Sequence, residues 1–185
     1  MASSDRRIKD FPRAKRPDSK LAAVMILLYP VDGQLHTLFI QRPDYDGVHG
    51  GQISFPGGKK EKEDEDLIAT ALRETHEETG AGGEDFEMLG KLTPLFIPVS
   101  NIEVTPFIAY CSSKPDFVPC DDEVVFLIEA RLSVFLNGSI VKERPMNIRN
   151  DMLKVRYYDY EGNVIWGATA MILHELLTII RNLFV

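Results

Sequence analysis

The sequence predicts a mixed β-sheet covered by helices, an α/β fold of the α+β kind. Three observations predict it. Short apolar runs rich in β-branched and aromatic residues, separated by turn residues, fill most of the chain. Only two long stretches carry helical character, Leu67–Thr79 and Ala168–Phe184. Strands and helices do not alternate as a regular βαβ series, and no internal repeat or linker divides the chain. At 185 residues and 44% apolar content, the chain suits one domain with a substantial core.

The elements follow in order. Residues 1–20 hold seven Lys or Arg against three Asp, interrupted by Pro12 and Pro17, and read as a polar arm ahead of a single domain spanning 21–185. Leu21–Tyr29 reads as a buried strand because it is continuously apolar. PVDG turns into a second strand, LHTLFIQR, followed by the glycine-rich loop DYDGVHGGQ. ISF is a short strand entering a PGG turn. Leu67–Thr79 is the first strong helix: Leu67, Ala71 and Leu72 supply its apolar face, the acids between Glu61 and Asp66 suit its N-terminus, and Gly80 suits its C′ position. FEMLGKLTPLFIP, IEVTPFIAYC and EVVFLIEA read as strands, RLSVFLN as a short helix or turn, and LKVRYYDYEGNVIW as a hairpin turning at Glu161–Asn163. Ala168–Phe184 closes the chain as an apolar helix.

Composition narrows the function. A net charge of −7 argues against a general nucleic-acid surface and favours a cation between the protein and any phosphate-bearing ligand. The strongly apolar run LAAVMILLY is too short to span a membrane. Cys111 and Cys120 form no metal pattern, and with no signal peptide the expectation is two reduced thiols in a cytoplasmic protein.

The chemistry concentrates between Phe55 and Gly80. Glu74 and Glu77 are three apart, Glu74 and Glu78 four apart, so three carboxylates share one helix face and repel one another. Hard oxygen donors in that density suit Mg²⁺ or Mn²⁺. Arg73 and Glu77 are also spaced to pair, and Gly57–Gly58 lets the backbone approach the same site. A solvated acidic helix face is the plain alternative; the flanking PGG and TG weigh against it.

This arrangement resembles the Nudix hydrolase family, whose box joins GG, an intervening acid and REUXEEXGU, with U bulky or aliphatic. Here the second half is Arg73-Glu74-Thr75-His76-Glu77-Glu78-Thr79-Gly80-Ala81, with Thr75 and Ala81 less apolar than the pattern prefers. The step from Gly58 to Arg73 is one residue longer than in the usual box, and either Asp64 or Glu65 takes the upstream acidic role. The resemblance implies a Nudix-like α/β/α sandwich with a mixed β-sheet. It implies that Glu74, Glu77 and Glu78 bind divalent metal, that Arg73 braces them, and that Gly58 offers its carbonyl. It implies hydrolysis of a nucleoside diphosphate derivative by metal-activated water, with Glu77 as the carboxylate that orients or deprotonates it.

The flanks resemble the coenzyme A diphosphatase branch. The GXXXFPGG element runs from Gly51 to Gly58, and Asn101–Phe107, Asp122–Val124 and Ile165–Ala170 look similar too. Coenzyme A or its thioesters would yield 3′,5′-ADP and a 4′-phosphopantetheine species. Two departures stand out: Gly47 occupies the place of an upstream arginine, and Leu38–Arg42 lacks the branch's threonine and serine. Arg42, His49, Gly57 and Gly58 are the expected substrate contacts, and Glu123, ahead of an apolar strand, is a further expected catalytic acid or metal ligand. His76 is expected to face away from the carboxylates, His174 and Trp166 to pack, and Tyr157, Tyr158 and Tyr160 either to pack or to line an adenine pocket. The expected partner is a small nucleoside diphosphate, with coenzyme A favoured over ADP-ribose or a dinucleotide. No nucleic acid or membrane is expected, and a homodimer is allowed. A binding-only nucleotide sensor is the alternative of a different class, opposed by the intact Arg73, Glu74, Glu77 and Glu78 set.

Overall fold

A computed structural model describes residues 18–44, 50–82, 86–148 and 151–183. Its organising element is β1 (Lys20–Val31), whose run of apolar residues is buried on both faces, which is why it reads as continuous rather than alternating. Ala23, Met25, Leu27 and Tyr29 point to one side, and Ala22, Ile26 and Leu28 to the other; each set belongs to a separate apolar cluster. β1 pairs antiparallel with β2 (Gln34–Gln41) and with β4 (Gly57–Lys59). It pairs parallel with β7 (Ile102–Tyr110). β3 (Ile53–Ser54) and β8 (Phe126–Arg131) extend the sheet from β2, while β5 (Glu87–Lys91) and β6 (Leu95–Ile97) share the far edge of β7. The sheet is therefore mixed, as the sequence predicts. Pro106 sits inside β7 without costing a rung to that edge: β6 pairing ends at Val104 and β5 pairing starts at Phe107.

Helices cover both faces in an α/β/α sandwich. α1 (Leu67–Thr79) lies on the face of Ala23, Met25 and Leu27, burying Ala71 among them. α2 (Leu132–Leu136) and α3 (Gly167–Leu183) lie on the other, where Leu132, Phe135, Leu173 and Leu177 join Ile26 and Phe39. A smaller antiparallel sheet of β9 (Val141–Ile148), β10 (Asp151–Tyr160) and β11 (Asn163–Ile165) flanks this layer. Among the described residues no helix is long and apolar enough to cross a membrane.

Four details differ from the sequence reading. The PGG segment is strand rather than turn, because Gly57 and Gly58 pair directly with Val24 and Ala23. β8 begins at Phe126, since Glu123 and Val124 close a turn on the Cys120 carbonyl. β9 carries Pro145 and mostly polar residues, yet is held as an edge strand by eight rungs to β10. His174 is exposed rather than packed, with Nδ1 3.4 Å from the Tyr158 hydroxyl. Two of the three tyrosines resolve as core. The Tyr160 ring stacks on Phe135 at 5.2 Å and its hydroxyl accepts the Arg131 N–H at 3.1 Å, while Tyr158 meets Phe135 edge-on at 5.6 Å. Tyr157 lies under the Arg144 guanidinium instead, and Trp166 is half-buried. Neither Cys111 nor Cys120 forms a disulfide.

Candidate active site

The site is built where α1 crosses β4. Asp66 starts the helix by accepting the Ala69 N–H at 2.8 Å, and Gly80 ends it in the left-handed conformation, its N–H on the His76 carbonyl. Between these caps the helix buries Thr70, Ala71, Thr75, Glu78 and Thr79. Thr75 and Thr79 tolerate burial because each hydroxyl donates back to the carbonyl four residues earlier, at 2.6 Å. Threonine can thus stand where the family pattern has an apolar residue. Ala81, also buried, fills the other such position. His76 is exposed, away from the inward face.

Glu78 is the anomaly of this stripe, a carboxylate only 2% exposed. Its Oε2 accepts the Gly57 N–H at 2.8 Å, and its Oε1 lies 3.6 Å from Arg42 Nη2. Burial raises its pKa to about 7; Arg42 and the Gly57 bond oppose that rise, and the charges of Glu74 and Glu123 add to it. Glu74 is also pushed up by burial, with Arg73 working against the shift. Glu77 is the outward member of the three, its side chain 46% exposed.

One guanidinium ties this array together. Arg73 Nη1 donates to Glu77 at 2.7 Å, and Nη2 donates to Glu74 at 3.1 Å and to the Lys59 carbonyl at 3.2 Å. Its Nε and Nη2 also bond the two oxygens of Asp64 at 2.9 and 3.1 Å. Asp64 further accepts the Glu61 N–H and the Thr70 hydroxyl, both at 2.9 Å. Asp64 is buried and Glu65 exposed, so Asp64 is the upstream acid.

Hydrogen bonds from Arg73, then from the Glu61 backbone, hold the Asp64 carboxyl below its ordinary value of 3.8. A depressed folded pKa stabilises the fold fully above about pH 4 and loses that effect as the pH falls through the folded value. Asp64→Asn is expected to lower Tm at neutral pH by on the order of 5 °C, with the gap to wild type narrowing below about pH 4 in thermal scans.

The two glycines are placed for different reasons. Gly57 has φ of 147°, and a Cβ there would lie 2.3 Å from the Ala23 carbonyl oxygen. A Cβ on Gly58 would lie 2.3–2.4 Å from the Glu74 carboxylate, so the backbone of β4 runs directly against that group. Arg42, just past β2, donates from Nε to Ser54 at 3.1 Å and from Nη2 to the Gly57 carbonyl at 2.7 Å.

The structure thus gathers Arg42, Gly57, Gly58, Asp64, Arg73, Glu74, Glu77 and Glu78. Glu123 is exposed, but its segment is tied to the end of α1: Cys120 N–H donates to the Glu78 carbonyl and Glu123 N–H to the Cys120 carbonyl. His49 lies outside the described residues. Ser54, which anchors Arg42, and Thr70, which anchors Asp64, carry no signal in the sequence, since lone hydroxyls mean little until their partners are located. A groove of about 630 Å³ on another flank of α1, lined by Leu67, Ile68, Met88 and Leu89, includes none of the site carboxylates.

The donor set fits a hard divalent ion. Glu74 and Glu78 point inward, the chain backbone at Gly58 runs beside Glu74, and the buried Glu78 carboxylate calls for positive charge. Among the described residues, however, no three His, Cys, Asp or Glu side chains already converge as an ion-holding cluster. Glu77 is turned to Arg73 instead.

Comparison with known proteins agrees with this architecture. The NUDIX domain matches residues 19–136. The Nudix hydrolase NudL of Pectobacterium atrosepticum, itself uncharacterized, is 33% identical over 168 residues, covering 89% of this chain and 86% of that protein. NudL of Yersinia pestis is 37% identical over 141 residues, covering 75% and 69%. Among solved structures, a Caenorhabditis elegans Ap4A hydrolase complex superposes with a TM-score of 0.60 at 16% identity, covering 88% of this chain and 98% of that one. The NUDIX domain of Shewanella oneidensis NrtR, complexed with ADP ribose, gives 0.51 at 21% identity, covering 64% and 77%. At those identities the structural likeness speaks for the fold alone. Fold and site together define a hydrolase acting on nucleoside diphosphate-type substrates. The chain belongs to the Nudix hydrolase family.

Proposed function

We propose that this protein is a divalent-metal-dependent diphosphohydrolase whose preferred substrate is coenzyme A or an acyl-coenzyme A. The observation that carries the hydrolytic reading is the Glu78 carboxylate, 2% exposed and pressed by the charges of Glu74 and Glu123. Burying such a group without a strong counter-charge is costly, and Arg42 lies no closer than 3.6 Å in its ion pair. Glu74 and Glu78, with the Gly58 carbonyl, would hold Mg²⁺ or Mn²⁺, and Glu123 would complete the ligands, leaving Glu77 free for the water. When bound, the ions supply neutralising charge to the diphosphate and make water more acidic.

The remaining work falls to the chain. Arg73 keeps Glu74 and Glu77 on adjacent sides of one guanidinium. Glu77, exposed at the helix surface, accepts the proton as water attacks phosphorus. The new P–O bond forms as the bridging P–O bond breaks, and the released phosphate oxygen carries the electron pair away. For coenzyme A the products are 3′,5′-ADP and 4′-phosphopantetheine. Glu77→Gln is expected to lower kcat by on the order of a hundredfold or more, with an unchanged melting curve. Turnover at the wild-type rate would remove Glu77 from the base role.

The substrate preference rests on the flanking elements Gly51–Gly58, Asn101–Phe107 and Ile165–Ala170. A second reading, ADP-ribose or a dinucleotide, has the Ap4A hydrolase and the ADP ribose complex among its structural neighbours. A panel of coenzyme A, acetyl-coenzyme A, ADP-ribose and Ap4A with Mg²⁺ or Mn²⁺, read by product mass, separates the two. Coenzyme A is expected to lead by at least about tenfold in kcat/KM, an effect worth roughly 1.4 kcal/mol. ADP-ribose cleavage with coenzyme A untouched overturns the preference. Nucleotide binding with no product from any member overturns hydrolysis.

A further inference from the structure

We propose that Arg42 is a positioning residue that sets the geometry of Glu78 and the Gly57–Gly58 peptide for the ion, rather than a ligand of substrate phosphate. This rests on the metal-dependent reading above. Residue type alone pointed to phosphate, since arginine forks match phosphate oxygens. The geometry points elsewhere.

The backbone of Arg42 is fixed by its N–H on the Gln52 carbonyl at 3.0 Å, and its side chain turns inward from there. Nε donates to Ser54 at 3.1 Å and Nη2 to the Gly57 carbonyl at 2.7 Å. The same Nη2 lies 3.6 Å from Glu78 Oε1, while Glu78 Oε2 takes the Gly57 N–H at 2.8 Å. These contacts close a ring: guanidinium to Gly57 carbonyl, Gly57 N–H to Glu78, and Glu78 back to the guanidinium. Both polar groups of Gly57 are thereby oriented. Its carbonyl belongs to the peptide that leads into Gly58, the residue lying against the Glu74 carboxylate. One side chain therefore pins the peptide beside one inward carboxylate and faces the Oε1 atom of the other.

Charge and geometry predict different outcomes for the same substitutions. Arg42→Lys keeps the positive charge but loses the planar fork that reaches Ser54 and Gly57 together. Ser54→Ala removes the Nε anchor alone. Mn²⁺ affinity without substrate, by EPR or calorimetry, is expected to weaken at least fivefold in Arg42→Lys and in the same direction, less strongly, in Ser54→Ala. In turnover, kcat is expected to fall at least tenfold in Arg42→Lys while KM stays within twofold.

A phosphate ligand behaves oppositely: KM rises tenfold or more and substrate-free Mn²⁺ affinity is unchanged. That result overturns the inference, as does full rescue of Mn²⁺ affinity by lysine. Ser54→Ala keeps the test open should Arg42→Lys fail to fold, because unchanged Mn²⁺ affinity in that variant also overturns the ring. The two readings fail separately. A wild-type protein that binds Mn²⁺ but cleaves no diphosphate defeats the proposed function, and the Mn²⁺ titrations still decide Arg42. A wild-type protein that binds no Mn²⁺ defeats both.

Discussion

Glu78→Gln is expected to lower kcat/KM by on the order of a thousandfold in a protein that, without metal, is at least as thermostable as wild type. The amide oxygen of glutamine can still accept the Gly57 N–H that Glu78 Oε2 now takes, so β4 and α1 remain joined. What disappears is a buried negative charge. Burial raises the Glu78 pKa from 4.5 to about 7, which means that its ionised form is disfavoured by folding. The sign follows from linkage: metal-free wild type loses stability as pH rises from 4.5, and the loss is complete once pH passes about 7. Its ceiling is roughly 3 kcal/mol. Losing the 3.6 Å pairing with Arg42 offsets little of this, because that guanidinium keeps Ser54 and the Gly57 carbonyl. Thermal scans across pH 5 to 8, with and without Mn²⁺, are the measurement. The variant is expected to show a flatter pH profile without metal and to gain less from Mn²⁺. Substantial activity in the variant, or equal Mn²⁺ stabilisation of both proteins, would sink the assignment of Glu78 as a ligand.

Gly57→Ala and Gly58→Ala, one residue apart, are expected to fail in different ways. At Gly57 the new Cβ would meet backbone: the Ala23 oxygen at 2.3 Å and the Val24 Cα at 2.6 Å, in a conformation that L-residues rarely adopt. Neither neighbour can yield without breaking the β1–β4 pairing. A cost of about 3 kcal/mol and a Tm drop of roughly 10 °C are expected, with activity lost alongside the strand. At Gly58 the nearest atoms are the Glu74 carboxylate, the far end of a movable side chain, at 2.3–2.4 Å. Glu74 can swing aside, so the fold survives within about 1 kcal/mol while the inward carboxylate is displaced. Activity and Mn²⁺ affinity are expected to collapse at an almost unchanged Tm. The same Tm drop in both variants would show that Gly58 serves the strand and not the carboxylate.

Much of this architecture is legible in the sequence, for reasons that can be named. β1 is visible because burial on both faces leaves no polar alternation, and α1 because Asp66 and Gly80 bracket a periodic stretch. The crowding of Glu74, Glu77 and Glu78 is legible because helical spacing alone places them together. The orientation of each is not: Glu78 is buried and Glu77 exposed because β4 covers one side of the helix. β4 itself is hidden, since proline and paired glycines carry turn chemistry unless a neighbouring strand claims their backbone. β9 is hidden for a related reason, as its strand character comes from its partner rather than its residues. Asp64 and Glu65 are equivalent by composition; only the position of Thr70 and Arg73 selects the first.

The three residues Ala22, Ala23 and Val24 have a consequence for how the protein comes into being. They are gripped on one edge by Lys59, Gly58 and Gly57, and on the other by Val104, Thr105 and Pro106. The second grip joins parallel strands some eighty residues apart, a contact of the slow-forming, long-range kind. The strand that backs Glu74 and Glu78 is thus mounted on a rail whose opposite edge is supplied only after the helix and β5 and β6 have been made. A nascent chain that has finished α1 already carries its carboxylates, yet has no completed rail to hold the peptide beside them. The proposed metal capture and hydrolysis are therefore expected to arise late in folding, once β7 is in register with β1.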